Sequence, residues 1–338
     1  MTDSDTGARV RIALVGLGAF GRKHLDVLAN IETAVVTALV GIDATQNRLL
    51  AAHYGIGRTY CELDDALADS NVDALILCTP TPLHASQAIR CLEAGKHVLV
   101  EIPMAENLPD AERLLKLSAK SPRVAMVGHT RRFNPSHQWL HQQIREDHLR
   151  LQHLVVSTHF MRRENLNAEG QPRQWTDSLL WHHAAHTVDL FQYQTDSEVI
   201  AWNVLQGPLD PQLGIAMDLS LQLKSSNGAL CSLSLSFNNE GPFGSHFRFI
   251  GDRGTYLARY DELSDGYGLP VDLSSIGPYA DGIELQDREF VDAIRNDRAP
   301  RSSVSGVMNC YRLLGAIQDS MLPRENFTPP TDRFSVRN

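Results

Sequence analysis

The N-terminal part of the chain alternates short apolar runs with amphipathic helical patterns, and this alternation constrains the fold more than any other feature. Five apolar runs are strand candidates: Val10–Val15, Ala34–Val40, Ala74–Cys78, His97–Val100 and Val124–Val127. Four helical patterns lie between them: Ala19–Ala29, Ala44–Tyr54, His84–Glu93 and Pro109–Lys120. Strands that alternate with helices predict right-handed parallel βαβ units, and almost wholly apolar strands predict a sheet covered on both faces. We therefore expect an N-terminal doubly wound α/β domain.

The rest of the chain predicts a second, different sheet. Within Leu219–Lys224 and Ser232–Ser236, apolar residues alternate with polar ones, which is typical of a sheet with one face open to solvent. The strand candidates are Leu151–Phe160, Val199–Val204, Gly214–Leu223, Ala229–Phe237, Ser245–Gly251 and Thr255–Tyr260, and the covering helices are Ala184–Tyr193, Gln286–Arg295 and Val304–Met321. We expect a C-terminal α/β domain with an open, mainly antiparallel sheet. The predicted domains are residues 1–128 and 129–338.

Composition and charge exclude several classes of partner. The 338 residues suffice for about two domains at roughly 150 residues each. The 31 Lys and Arg against 40 Asp and Glu give a net charge of −9, so we expect neither nucleic acid nor an anionic membrane as a partner. No apolar run approaches the roughly 18 residues of a membrane span, and the polar N-terminus is not a signal peptide. The five cysteines form no CxxC pair, which predicts reduced thiols in a cytoplasmic protein.

A glycine motif directly follows the first predicted strand: Gly16-Leu17-Gly18-Ala19-Phe20-Gly21. Glycines at this spacing allow a tight turn, a close backbone approach to a pyrophosphate, and tight packing of the helix on the strand. The helix that begins there offers free N–H groups and a partial positive charge to phosphates. The motif therefore predicts dinucleotide binding by Gly16, Gly18, Ala19, Phe20 and Gly21. The alternative is a tight turn that binds nothing.

The end of the second predicted strand bears on the choice between NAD and NADP. An acidic residue there would bind the 2′-hydroxyl of the adenosine ribose and repel a 2′-phosphate. If the strand ends at Val40, the discriminating position is Gly41, and Asp43 would instead cap the next helix. We therefore predict that NADP is preferred and that Gly41 belongs to the cofactor site, with Arg48 as a candidate phosphate partner. If the strand continues to Ile42, Asp43 reads the ribose and NAD is preferred.

Further motifs carry a family resemblance. Three segments resemble the glucose–fructose oxidoreductase/inositol dehydrogenase family: Gly16–Gly21, Thr79-Pro80-Thr81-Pro82-Leu83-His84 and Glu101-Ile102-Pro103. Five longer segments more closely resemble one branch of that family, the hemiacetal dehydrogenases of protocatechuate 4,5-cleavage. These segments are Val100–Pro103, Met126–His137, Trp175–Phe191, Leu233–Pro242 and Gly282–Phe290.

This resemblance implies a fold, an activity and partners. Such enzymes combine a Rossmann domain with a C-terminal α/β domain, and they form homodimers through the open face of the C-terminal sheet. The branch oxidises the cyclic hemiacetal of a dicarboxylate ring-cleavage semialdehyde to 2-pyrone-4,6-dicarboxylate, and it reduces NADP or, less readily, NAD. The resemblance also implies that Thr79, Pro80, His84 and Glu101 line the nicotinamide side of the cofactor site.

The sequence departs twice from the wider family's catalytic pattern. The lysine of Glu-Lys-Pro is Ile102, and the aspartate of Asp-x-x-x-His is His182, whose partner is His186. A hemiacetal hydroxyl is more acidic than a polyol hydroxyl, so a neutral imidazole with a pKa near ~6.5 is a sufficient base for it. We predict that His182, His183 and His186 are catalytic, with Asp189 placed to orient one ring, and that no metal is bound. The alternatives are zinc binding by the i, i+4 histidines and a hydrogen-bonded helix start.

A dicarboxylate substrate requires cationic groups. Guanidinium groups bind carboxylates bidentately, and arginines occur both after the fifth predicted strand and beside the histidine segment. We predict that the substrate is bound by His129, Arg131, Arg132, Arg163 and Arg173. The alternative for each arginine is a solvated surface charge, and for Arg132 also a structural role.

Two other functions stay open on the sequence alone. The first is a dehydrogenase of the same fold that acts on another anionic aldehyde or a sugar acid. The second is a non-catalytic dinucleotide sensor, because Ile102 replaces the family lysine.

Overall fold

The N-terminal domain is a doubly wound parallel sheet, as predicted. The computed structural model describes residues 9–166, 170–173, 175–277 and 281–321. Six parallel strands lie in the order β3-β2-β1-β4-β5-β6. Their bounds are β1 Val10–Val15, β2 Ala34–Val40, β3 Arg58–Tyr60, β4 Ala74–Leu77, β5 His97–Val100 and β6 Ala125–Val127. The helices are α1 Ala19–Leu28, α2 Ala44–Tyr54, α3 Leu63–Ala68, α4 His84–Glu93 and α5 Leu108–Ser118. The buried apolar strands explain why helices cover both faces.

The C-terminal domain contains a seven-stranded sheet in the order β13-β12-β11-β7-β10-β9-β8. Only β7 and β10 pair in parallel, so the sheet is mainly antiparallel and the predicted fold class is confirmed. The strands are β7 Leu151–His159, β8 Val199–Gln206, β9 Asp218–Ser225, β10 Leu230–Ser236, β11 Gly244–Gly251, β12 Thr255–Arg259 and β13 Glu262–Asp265. The helices are α6 Pro135–Arg145, α7 Ala185–Thr195, α8 Gly282–Arg295 and α9 Val304–Met321.

One face of this sheet is buried and the other is open. Leu219, Leu221 and Leu223 of β9 are buried, whereas the alternating residues Ser220 and Gln222 are exposed. Helices α7 and α9 pack against the buried side of the sheet. Helix α8, which the sequence placed over this sheet, instead packs on α1 and β1 of the N-terminal domain, and its buried apolar residues join that core. Helix α9 packs on both β8 and α5. Residues 130–132, which follow β6, contact α7, so the carboxyl end of β6 lies close to α7.

Some short elements carried no strong sequence signal. β3 and β13 have only three and four residues and mix polar with apolar side chains, and α3 has six residues. Within the described ranges, no helix is long and apolar enough to cross a membrane. All five cysteines are free thiols.

Candidate active site

The Gly16–Gly21 turn has space only for glycine at two positions. Gly16 has a φ of +92°, and a Cβ there would lie 2.4 Å from the Cys78 carbonyl oxygen. A Cβ on Gly21 would lie 2.0 Å from the Gly16 carbonyl oxygen. Helix α1 begins after Gly18, and no side chain caps its N-terminus. Its first N–H groups are therefore open to a ligand, and this cradle fits a pyrophosphate.

The first two residues of α1 complete this turn. Ala19 and Phe20 are both exposed, and the Phe20 ring meets the buried His24 ring edge-on with centroids 5.4 Å apart. Both predicted cofactor residues thus lie on the accessible side of the turn.

The β2–α2 turn matches the first of the two sequence alternatives. β2 ends at Val40, and the Asp43 carboxylate caps α2 by accepting hydrogen bonds from the backbone N–H groups of Thr45 and Gln46. These bonds lower the pKa of Asp43. A Cβ at Gly41 would lie 2.4 Å from Asn47 Oδ1. No carboxylate therefore occupies the strand end itself, and the Asn47 side chain fills the space where a side chain at position 41 would lie.

His84 links the end of β4 to the segment after β5. Its ring nitrogens lie 2.7 Å from the Thr79 carbonyl oxygen and 2.8 Å from the Pro103 carbonyl oxygen, and the Ile102–Pro103 peptide is cis. Burial lowers the pKa of His84, so the ring is neutral and donates to one of these carbonyls at a time. Pro80 follows Thr79 at the same strand end. His84 therefore holds the backbone of this corner and does not offer a free nitrogen.

Glu101 is held in a buried charge network that the sequence reasoning missed. It accepts a hydrogen bond from Gln286 Nε2 at 3.0 Å and lies 3.2 Å from His24 Nε2, while His24 Nδ1 lies 2.8 Å from Asp287. Burial alone would lower the pKa of His24, but the Asp287 carboxylate outweighs it and raises the pKa well above its usual value. The imidazolium therefore neutralises part of the carboxylate charge beneath the glycine turn. His24 is three residues after Gly21, and this spacing was the available signal.

The histidine segment begins with an unusual turn. Ser178 caps Leu179–Ala184, which form a π-helical turn that continues directly into α7. His182 and His183 lie in the π turn with ring centroids 4.8 Å apart, and His186 lies in the first turn of α7. π turns are rare and occur often at functional sites. The α-helical spacing expected from the sequence therefore applies only after this turn.

The three imidazoles are neutral and incompletely hydrogen-bonded. His182 Nδ1, His183 Nε2 and His186 Nδ1 are shielded from solvent and have no hydrogen-bond partner among the described residues. Burial lowers the pKa of all three rings, to about 3 for His183 and well below the usual value for His186. Each ring is therefore unprotonated at neutral pH, and the same lowering of the pKa makes it a weaker base than a free imidazole. Within the described ranges, no three His, Cys, Asp or Glu side chains form a group able to hold a metal ion.

Arg131 is a shielded cation that forms no ion pair among the described residues, and its electrostatic counterpart is the Asp261 carboxylate. It stacks on the rings of Tyr260 and Phe247, at 4.6 and 5.5 Å from their centroids, and donates a hydrogen bond to Asn134 at 3.3 Å. Its Nε makes no hydrogen bond in the described part of the chain, where no carboxylate forms an ion pair with it. The Arg131 charge also lowers the pKa of His186, so the two groups are close. Such a guanidinium favours an anionic ligand.

Arg132 is committed to the protein itself. Its Nε and Nη2 bind the Asp189 carboxylate at 2.8 and 2.6 Å, and the guanidinium also donates to the carbonyls of Arg301 and Gly306. His129 Nδ1 lies 3.4 Å from the same carboxylate. Asp189 therefore orients Arg132 and His129 and not, as the sequence suggested, one of the three histidines. Arg132 keeps little capacity to bind a substrate.

A second arginine group surrounds Asp177, close to the histidine segment. Asp177 is buried and hydrogen-bonded to Arg162, and Arg173 Nη1 lies 3.5 Å from it. Although burial alone raises the pKa of Asp177, His182 and Arg162 hold it below its usual value. Arg163 is farther out and donates to Asn238 Oδ1 at 3.0 Å. The sequence reasoning missed Asp177, whose position between arginines and histidines was the only signal.

Electrostatic effects show that these groups converge. The charges of both Arg131 and Arg162 lower the pKa of His183, and Glu101 raises the pKa of His182. The His183 ring meets the Phe237 ring edge-on with centroids 5.0 Å apart, and Arg162 stacks on the same Phe237 ring at 4.7 Å. The histidine segment therefore lies next to Arg162 and within electrostatic reach of Arg131.

Comparisons with known proteins show the family of this chain. A model of the oxidoreductase family with an NAD-binding Rossmann fold matches residues 10–129, and a model of bacterial oxidoreductase C-terminal domains matches residues 135–277. A 4-carboxy-2-hydroxymuconate-6-semialdehyde dehydrogenase from Sphingobium sp. strain SYK-6 is 55% identical over 309 residues, which is 91% of this chain and 98% of that protein.

Solved structures share the fold at lower identity. An aldose-aldose oxidoreductase from Caulobacter crescentus superposes with a TM-score of 0.80 at 22% identity, over 92% of this chain and 97% of its own. A levoglucosan dehydrogenase in complex with NADH superposes with a TM-score of 0.79 at 19% identity, over 92% and 96% of the two chains.

Proposed function

This chain belongs to the oxidoreductase family with an NAD-binding Rossmann fold, and from that premise we propose that it oxidises the cyclic hemiacetal of 4-carboxy-2-hydroxymuconate-6-semialdehyde to 2-pyrone-4,6-dicarboxylate. The protein is a dehydrogenase that uses a nicotinamide dinucleotide. One observation carries the proposal: three neutral imidazoles, whose shielded nitrogens lack a hydrogen-bond partner within the described ranges, lie next to Arg162 and within electrostatic reach of Arg131, an arrangement that suits a dicarboxylate with an acidic hydroxyl. The identity to the Sphingobium enzyme supports the same substrate.

The cofactor cradle on this chain fits such a dinucleotide. The Gly16–Gly21 turn and the uncapped start of α1, with Ala19 and Phe20, would hold the pyrophosphate. Thr79 and Pro80 would border the nicotinamide, with His84 and Glu101 fixing the backbone around it. The bound nicotinamide supplies the hydride acceptor.

The reaction requires one base and no lysine. As the hemiacetal carbon loses its hydride, the hydroxyl proton passes to an imidazole nitrogen and the carbon–oxygen bond becomes the lactone carbonyl. The ring oxygen of the hemiacetal stabilises the developing positive charge on carbon, so a neutral histidine suffices. We assign this base to His182 or His186 and assign His183 to hydrogen bonding with the substrate. Ile102, which stands at the lysine position, contributes no proton chemistry.

The two carboxylates of the substrate would be held at opposite ends. Arg131 binds one of them, because its shielded guanidinium forms no ion pair in the described ranges. The Asp177-bound pair Arg162 and Arg173 borders the other end, where Arg162 Nη1 has no hydrogen-bond partner among the described residues. Arg163 lies at the rim. Arg132 and His129 act as positioning residues through Asp189.

We further propose that NADP is preferred over NAD. The support is the strand end at Val40, which is followed by Gly41 and not by a carboxylate, with Arg48 one turn into α2. A ratio of kcat/KM above one in favour of NADP is expected, and a ratio in favour of NAD would remove this part of the proposal.

The open sheet face supports a homodimer of this cytoplasmic enzyme. Exposed Leu205 and Leu230 lie on strands β8 and β10, beside the serine-rich surface of β10. We expect sedimentation to give twice the chain mass of 37.5 kDa. A monomer would contradict this assembly.

The substrate assignment is tested by a panel. We expect kcat/KM for the ring-cleavage hemiacetal to exceed the values for inositol, uronates and other sugar acids. Higher activity on a sugar acid would instead favour the related dehydrogenase of another anionic substrate.

A further inference from the structure

A cavity lies at the edge of the N-terminal sheet that is opposite the proposed active site. It measures about 350 Å³ and is lined at the amino ends of β1, β4 and β5 and just before β6. Because β1 has six residues at about 3.3 Å each, the two edges are roughly 20 Å apart. The cavity is therefore separate from the glycine turn and from the histidines.

This cavity is strongly cationic on an acidic protein. Arg9, Lys96, Arg123 and Arg295 line it, and none of them forms an ion pair with a carboxylate in the described part of the chain. Lys96 donates only to backbone carbonyls, and Arg9 Nε does the same. The one carboxylate in the lining, Asp73, is already paired with Arg11. The cavity thus collects positive charge without matching negative charge.

Two donors at its wall face each other without an acceptor. The Val124 N–H donates to His97 Nδ1 at 2.9 Å, so the hydrogen of the neutral ring is on Nε2. Nε2 lies 3.5 Å from Arg123 Nη1, which also carries hydrogens. Burial and the Arg123 charge lower the pKa of His97 to about 4, although Asp73 and Asp297 act in the opposite direction. Two N–H groups therefore converge on one point where an oxyanion would satisfy both.

We propose that this cavity binds a small polyanion that carries two or more carboxylate or phosphate groups. Arg123 and the His97 Nε2–H would bind one anionic group. Arg9 and Arg295 at the rim would neutralise the other. The volume is sufficient for a molecule of about citrate size, whereas a single small anion would leave most of it unfilled.

The test is calorimetric titration of the enzyme, saturated with its nicotinamide cofactor, with citrate and separately with pyrophosphate. Acetate serves as the monovalent comparison. We expect at least one polyanion to bind, and the double variant Arg123→Gln/Arg295→Gln to weaken binding by about tenfold or more through the loss of charge-assisted hydrogen bonds. Arg113→Gln, an exposed arginine on α5 outside the cavity, is the matched control and should bind as the unmodified enzyme does.

The two probes separate carboxylate from phosphate chemistry, and a second readout separates this cavity from the active site. Binding in this cavity should leave KM for the substrate unchanged. It should also raise the pKa of His97, measured by NMR from the ring signal that is lost in His97→Asn. Equal affinity of the double variant and the unmodified enzyme would overturn the proposal. So would the failure of both polyanions to bind at millimolar concentration.

Discussion

A histidine can act as a general base only when its ring is unprotonated, and burial keeps His182, His183 and His186 unprotonated at neutral pH. Burial also weakens these rings as bases, so we expect the bound anionic substrate to raise the pKa of the base toward the working pH. The same burial would make an unpaired arginine unfavourable without an anion nearby. Arg131 therefore has a physical reason to bind a carboxylate, whereas Arg132 already has one in Asp189. Arg131 and Arg132 are the same residue type, and their different hydrogen-bond and ion-pair partners give them different roles.

Replacing the proposed base should remove the chemistry and leave cofactor binding intact. We expect His182→Asn or His186→Asn, whichever is the base, to lower kcat by about 10²- to 10⁴-fold, because general base catalysis contributes that much. The dissociation constant for NADP, measured by fluorescence titration, should stay unchanged. His148→Asn, an exposed histidine beside Glu146, is the matched control. Full kcat in both active-site variants would refute the assignment.

Removal of the unpaired cation should weaken substrate binding. We expect Arg131→Gln to raise KM for the dicarboxylate by about 10- to 100-fold, since a hydrogen bond to a charged group contributes about 1.5–3 kcal/mol. Arg163→Gln should have a smaller effect, because Arg163 is exposed and bonded to Asn238. Steady-state kinetics on both variants decides the matter. An unchanged KM in both would eliminate arginine binding of the carboxylates.

Residue types could be predicted from the sequence better than their partners. The clustering of His182, His183 and His186 was visible along the chain. The Arg132–Asp189 pair joins residues 57 positions apart, and the His24–Asp287 pair joins residues 263 positions apart. Such contacts depend on the packing of whole elements, which local pattern does not specify.

The β1–α1 and β2–α2 turns were predicted to within a residue because their signals are local. Glycine spacing determines the first turn, and the Asp43 cap determines the start of the second helix. The π turn before α7 was not predicted, since its sequence also suits an ordinary helix start. Its occurrence depends on how Leu179–Ala184 pack against β9, β10 and α9.

The glycine turn should not tolerate a methyl group where the backbone approaches closely. Gly21→Ala places a Cβ 2.0 Å from the Gly16 carbonyl oxygen, so the turn must open. We expect NADP affinity to fall by about 5- to 100-fold, as overpacking costs about 1–3 kcal/mol. Gly57→Ala, which meets no atom within 4 Å, is the control and should keep its affinity. Unchanged affinity in Gly21→Ala would show that this turn does not hold the cofactor.

At the scale of the whole molecule, buried histidines should make the fold sensitive to acid. The pKa is lowered to about 3 for His137 and His183 and to about 4 for His97 and His141. These histidines bind protons near pH 6.5 in the unfolded chain and only near pH 3 to 4 in the folded chain. Their neutral, folded form therefore contributes its full free energy of stabilisation above pH 6.5, and this contribution is lost as the pH falls.

The measurement is the melting temperature across this window. We expect Tm to fall by more than about 10 °C between pH 7 and pH 5, before most carboxylates titrate. His137→Phe should reduce the slope, because this ring packs on Phe247 and Phe249. A constant Tm between pH 7 and pH 5 would contradict the account of these rings.

The presence of two different sheets could be predicted from the change in periodicity along the chain. The contacts between helices that join the two domains could not. Helices α8 and α9 return to pack on α1 and α5. Through α8, Gln286 and Asp287 reach Glu101 and His24. The charge network beneath the cofactor cradle therefore depends on a helix from the other end of the sequence.

The most direct test of the central claim is the absorbance of reduced nicotinamide after the protein is mixed with NADP and freshly ring-cleaved protocatechuate. We expect a rapid rise, with 2-pyrone-4,6-dicarboxylate formed in equal amount. No rise with either NADP or NAD, in protein that demonstrably binds the cofactor, would contradict the proposed reaction.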